Sequence, residues 1–86
     1  MTNDEAERLK PGDLIRTFFS DYKLPFRKIE MLWVVLRHCQ AEPCGYGRSI
    51  DLELIYTERL NNAYATGEWA SIEIGSTFSL NMEKYD

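Results

Sequence analysis

The residue types nearest to metal or nucleophile chemistry in this chain are His38, Cys39 and Cys44. A structural zinc site uses four ligands, often in C-x2-C pairs, whereas these supply three, with four residues between the two cysteines. Adjacent His38 and Cys39 on a strand point to opposite faces, so they cannot readily share an ion or hold the hydrogen bond that joins a nucleophile to its base. The expectation is no metal, no cofactor and no catalytic residue. The two cysteines, too few for a disulfide scaffold, read as free thiols at a hairpin tip. Gly45-Tyr46-Gly47-Arg48 lacks the spacing of a phosphate loop and a helix to follow it, and a hairpin turn accounts for it more simply.

Two other groupings have the makings of a binding surface. Tyr22, Lys23, Phe26, Arg27 and Lys28, with Arg16 and Arg37, combine aromatics and cations as single-stranded nucleic acid requires, bases stacking and phosphates pairing. The plainer reading anchors Tyr22 and Phe26 to the body of the protein and leaves the charges solvated. Asp51, Glu53, Glu58, Glu68 and Glu73 lack a partner for acid and base catalysis and the dense oxygen-rich loop of a calcium site, so they read as a solvated face or one that meets a basic partner. Trp69 stands among them. Alternation sets it with Ser71 and Glu73, away from Ala70, Ile72 and Ile74, as an outward aromatic that could anchor an interface or pack under Phe78 or Tyr85 of the tail.

The elements that must position these residues are legible in part. Residues 1–8 are polar and read as a flexible tail or one helical turn, with Leu9 as the first anchor. Lys10-Pro11-Gly12-Asp13 is a turn, Pro presetting φ at its second position and Gly supplying positive φ at its third. A strand follows over Leu14 to Phe19, with Leu14, Arg16 and Phe18 on one face and Ile15, Thr17 and Phe19 on the other. Ser20 to Lys28, interrupted by Pro25, is a long loop.

Met31-Leu32-Trp33-Val34-Val35-Leu36 is the longest run of large apolar residues, and its period is ambiguous. Ile29, Leu32, Trp33 and Leu36 fit a helical stripe, whereas Ile29, Met31, Trp33 and Val35 fit one face of a strand and Leu32, Val34 and Leu36 the other. The neighbouring segments favour the strand. It would be apolar on both faces, and the second face then needs cover from the long loop, the N-terminal residues or a partner.

Gln40 to Gly47 is a Pro and Gly loop, and Ser49 to Thr57 alternates Ile50, Leu52, Leu54 and Tyr56 against Asp51, Glu53, Ile55 and Thr57 as a half-buried strand does. Glu58 to Gly67 reads as a turn or distorted hairpin, and Glu68 to Ile74 as a further strand. Thr77 to Leu80 suits a short closing strand or one 3₁₀ turn, before a polar tail over 81–86.

Four to five short strands, a long first loop and almost no dependable helix predict an all-β protein, a small antiparallel barrel over residues 9–80. Leu9-Lys10-Pro11-Gly12-Asp13-Leu14-Ile15 resembles the opening of small SH3-like barrels, in which a K-P-G-D-hydrophobic segment leads into a long loop, a central apolar strand, a hairpin and a closing strand. The resemblance implies an SH3-like barrel and a bacterial or phage origin. Recognition of Pro-rich peptides in that family calls for an acidic first loop, and here Ser20 to Lys28 is net basic.

Composition narrows the functions. The net charge of −4 disfavours a protein that coats nucleic acid, although residues 14–48 carry +3 while residues 1–13 carry −2 and 49–86 carry −5. The acidic start has no apolar leader, and no stretch reaches the roughly 18 apolar residues of a membrane helix, so a soluble cytoplasmic protein is expected. The expected function is a small non-enzymatic module that binds another protein or a second copy of itself through Trp69, Tyr22 and Phe26. Nucleic-acid binding through Tyr22, Lys23, Phe26, Arg27 and Lys28 is the alternative.

Overall fold

Strand β2 (Lys28–Gln40) runs through the middle of a single antiparallel sheet, with β1 (Leu14–Ser20) and β5 (Glu83–Tyr85) on one side and β3 (Arg48–Thr57) and β4 (Trp69–Glu73) on the other. The structure, a computed structural model, describes residues 1–20, 28–40, 48–58 and 65–85. The expected all-β fold is present as this five-stranded sheet, accompanied by two short helices, α1 (Asn3–Glu7) and α2 (Thr77–Asn81). Strand pairing follows the order β4-β3-β2-β1-β5, and among the described residues β4 does not pair with β5 to close a barrel.

Alternation gives the sheet two faces of different character. The inner face is formed by Ile15 and Thr17 of β1, Ile29, Met31, Trp33 and Val35 of β2, Ile50, Leu52 and Leu54 of β3, and Ile72 of β4, all buried. Both helices add to this side. Ala6, Leu9 and Met82 are buried within the same core, with Phe78 packed against it. The Trp33 indole meets Phe78 edge to face, at 6.3 Å and 85°, and its Nε1–H donates to Thr17 Oγ1 at 2.9 Å. Burying an indole together with an acceptor for its N–H gives the largest core side chain no stranded donor.

Two terminal segments belong to this structure: residues 1–8, read as a flexible tail or one helical turn, form the turn, and part of the expected polar tail over 81–86 forms a strand. Residues 1–8 hold α1, which Thr2 caps: its hydroxyl accepts from Glu5 N–H while Glu5 accepts from Thr2 N–H. Ala6 is fully buried, and the Met1 amino group donates to the carbonyls of Leu80 and Met82. Two apolar residues, Met1 and Ala6, in a polar stretch give no periodic signal. Residues 83–85 pair with β1, Tyr85 opposite Leu14 and Glu83 opposite Arg16. Thr77 to Asn81 forms α2 where a strand or a 3₁₀ turn was expected, because Ser76 caps it by accepting from Ser79 N–H.

The turn before β1 has the backbone its residues demand. Gly12 takes φ +94°, Asp13 N–H donates to the Lys10 carbonyl, and Gly12 N–H donates to the Val35 carbonyl at 2.8 Å. The turn is thereby tied to β2.

Two β-bulges correct the simple alternation. Val35 pairs with Leu52 and Arg37 with Asp51, so Leu36 is an extra residue on β2; Trp33 pairs with Leu54 and Leu32 with Tyr56, so Ile55 is extra on β3. An inserted residue changes which face the following side chains occupy. Tyr56, expected inward with Leu54, is therefore outward and 48% exposed. His38 comes level with the buried Ile50, on the side opposite to Cys39.

Candidate functional site

The outer face carries most of the large apolar side chains that remain exposed among the described residues. Its centre is Leu14, Leu32, Val34 and Leu36, all half-buried. Around them stand Phe18 (43% exposed), Ile55 (40%), Tyr56, Trp69 (63%) and Tyr85 (39%). The register gives this set an order across the strands: Tyr85, Leu14, Val34, Glu53 and Trp69 form one row, and Glu83, Arg16, Leu32 and Tyr56 the next. A contiguous aromatic and aliphatic face of this kind marks an interaction surface more often than a finished exterior.

The β1 corner is cationic and aromatic. The Arg16 guanidinium lies 5.4 Å from the Phe18 ring centre and 5.8 Å from that of Tyr85, and its Nη2 donates to Glu83 at 3.0 Å. Lys28 Nζ lies 5.9 Å from the Phe18 ring. These cations hold the two rings at the surface through attraction to their faces. On the opposite edge the character reverses. Trp69 Nε1–H donates to Glu53 at 3.0 Å, which fixes the indole across β4 and β3.

One end of the face is closed by a polar cluster around Asp51. Its carboxylate accepts from Ser71 Oγ at 2.5 Å, from Arg37 Nε at 2.7 Å and from Cys39 Sγ at 3.2 Å, joining β4, β3 and β2. Asp51, expected in a solvated row, is 8% exposed. The Ser71 and Arg37 hydrogen bonds hold its carboxyl below the usual range, Ser71 first. The same cluster pushes the Cys39 thiol up, chiefly through its bond to Asp51, and raises Arg37 through its bond to the same carboxylate. A thiol that donates to a carboxylate is held as thiol and is a poor nucleophile. His38 is occupied elsewhere, its Nε2–H donating to the Leu9 carbonyl at 2.6 Å.

The expected site residues are placed unequally. Trp69 lies outward with Ser71 and Glu73. Tyr22, Lys23, Phe26 and Arg27, with Cys44, lie outside the described residues, and Lys28 joins the β1 corner. The structure adds Phe18, Ile55, Tyr56 and Tyr85. Phe18 was legible from the β1 alternation; Tyr56 depends on a bulge and Tyr85 on a pairing between strands far apart in the chain.

Comparison with protein-family models, with curated proteins and with solved structures finds no match to this chain. Among the described residues no helix is long and apolar enough to cross a membrane.

Proposed function

We propose that the protein is a non-enzymatic interaction module whose outer sheet face binds protein. The observation that carries this reading is Trp69, 63% exposed yet fixed by its bond to Glu53, in one face with Phe18, Ile55, Tyr56 and Tyr85. A rigid aromatic loses little conformational freedom when covered and contributes a large contact area, which is why such residues anchor interfaces. Held orientation favours binding further, since less is lost on ordering. Cys39 carried as a free thiol suits a reducing cytoplasm.

The test uses position as its control. A benzophenone amino acid placed at Ile55, on the outer face, is expected to crosslink to protein in a lysate of the producing cell. The same group at Lys84, whose register partner is the inward Ile15, is expected not to. Trp69→Ala should abolish the first crosslink. Equal crosslinking from both positions, or no effect of Trp69→Ala, would overturn the reading.

A further inference from the structure

We infer that the outer face binds the same face of a second copy, giving a two-layer β-sandwich dimer about a two-fold axis that runs along β2. This rests on reading that face as a protein-binding surface, and it names the occupant. Three observations carry it.

The first is the order of the strands. With β2 in the middle of β4-β3-β2-β1-β5, a two-fold axis lying over β2 in the plane between the copies exchanges β1 with β3 and β5 with β4. Residues at one level of the register then meet across the axis. Trp69 of one copy comes over Tyr85 of the second, because both stand in the row of Val34. Tyr56 comes over Arg16 of the second copy, because both stand in the row of Leu32. Leu32, Val34 and Leu36 lie near the axis and meet their own counterparts. Aromatic faces aromatic, cation faces aromatic, and aliphatic faces aliphatic.

Charge selects this arrangement over the other simple one. On the outer face β3 and β4 carry Asp51, paired to Arg37 of β2, together with Glu53 and Glu73, whereas on β1 and β5 Arg16 is balanced by Glu83, and Lys28 by Glu30 at the end of β2. An axis along β2 lays the acidic half over the charge-balanced half, where Arg16 is the cation that Tyr56 and the acidic strands meet. An axis across the strands would set acid on acid, which an isologous contact penalises at every such pair.

Area supplies the third argument. A large aromatic side chain presents about 150–250 Å², so at their observed exposures Phe18, Tyr56, Trp69 and Tyr85 leave on the order of 400 Å² of ring surface open. With Ile55 and the half-buried aliphatics, the face approaches the roughly 600–1,000 Å² that each partner gives to an ordinary stable interface. Stacked sheets cover that area at a separation of about 10 Å.

The test exploits the axis. Val34 should meet Val34, so Val34→Lys and Val34→Glu, each alone, set like charges face to face, and mixing the two variants sets opposite charges there. Sedimentation velocity over a range of micromolar concentrations is expected to show a wild-type dimer. Each single variant should be a monomer with its dissociation constant raised on the order of a hundredfold or more, and the equimolar mixture should recover the dimer. Circular dichroism establishes that each variant is folded; should either prove unfolded, Trp69→Ala, at a far more exposed position, takes its place as the dissociating variant. A monomeric wild type, a Val34→Lys protein that stays dimeric, or a mixture that stays monomeric overturns the proposal. A monomeric wild type whose Ile55 position still crosslinks to a different protein overturns the dimer alone. Absence of both removes the interaction reading as well.

Discussion

Asp51 shows how much one residue's role depends on its neighbours. In a row with Glu53 it reads as one more solvated carboxylate, yet Ser71, Arg37 and Cys39 all donate to it. Because the fold holds its pKa below the ordinary value, its contribution to stability is present above about pH 4 and is lost as pH falls through the lowered value. Asp51→Asn removes that dependence. Measured by denaturant unfolding, the stability gap between wild type and Asp51→Asn should therefore narrow steadily from pH 5 to pH 2. The thiol provides a second readout. With its pKa raised, chiefly by Asp51, Cys39 should react slowly with iodoacetamide at pH 8, and Asp51→Asn in a Cys44→Ser background should speed that reaction several-fold. A constant stability gap and an unchanged rate would show that the cluster does not act on either group.

At the scale of elements, the turn before β1 and the two bulges control which side chains reach which face. Gly12 at φ +94° has open space where a Cβ would stand, so the cost of replacing it is backbone strain and not a clash. Gly12→Ala should destabilise the protein by about 1–2 kcal/mol, seen as a lower denaturant midpoint with an unchanged slope. No loss of stability would mean that the turn accommodates another backbone. This turn was readable because Pro and Gly report local geometry directly. The bulges were not. Leu36 and Ile55 are ordinary strand residues, and each becomes the extra residue only because of how two strands pair. The single α1 turn was one of two readings of residues 1–8: its Thr2 and Glu5 have capping-box spacing, but Ala6 and Leu9 are too few to show a period that would decide between turn and tail.

At the scale of the molecule, the sheet separates a covered face from an open one, and the open face divides into an acidic half on β3 and β4 and a charge-balanced, aromatic half on β1 and β5. The β1 corner resembles a nucleic-acid site in composition, but Arg16 and Lys28 are set against Phe18, and Arg16 is also bonded to Glu83. Rings already covered by cations are poor platforms for bases. With a net charge of −4, the expected result is no binding of a fluorescent single-stranded oligonucleotide at low salt. Salt-sensitive binding that disappears on Lys23, Arg27 and Lys28→Ala would reverse that expectation and move the site to the residues between β1 and β2.

The all-β class, the turn at Pro11-Gly12, the core stripe of Ile29, Met31, Trp33 and Val35, and the outward position of Trp69 follow from the order of residues along the chain. Each is a local matter of backbone preference or of a period of two. The double-sided hydrophobicity of Met31 to Leu36 is equally local, and it places Leu32, Val34 and Leu36 half-buried on the outer face. What occupies the faces was decided by tertiary structure. Tyr56 and Tyr85 join Trp69, Asp51 gathers its three donors, and α1 and α2 take the inner side. Those outcomes depend on strand order, on two register slips and on a pairing between β1 and β5, contacts between residues far apart in sequence that no local pattern encodes.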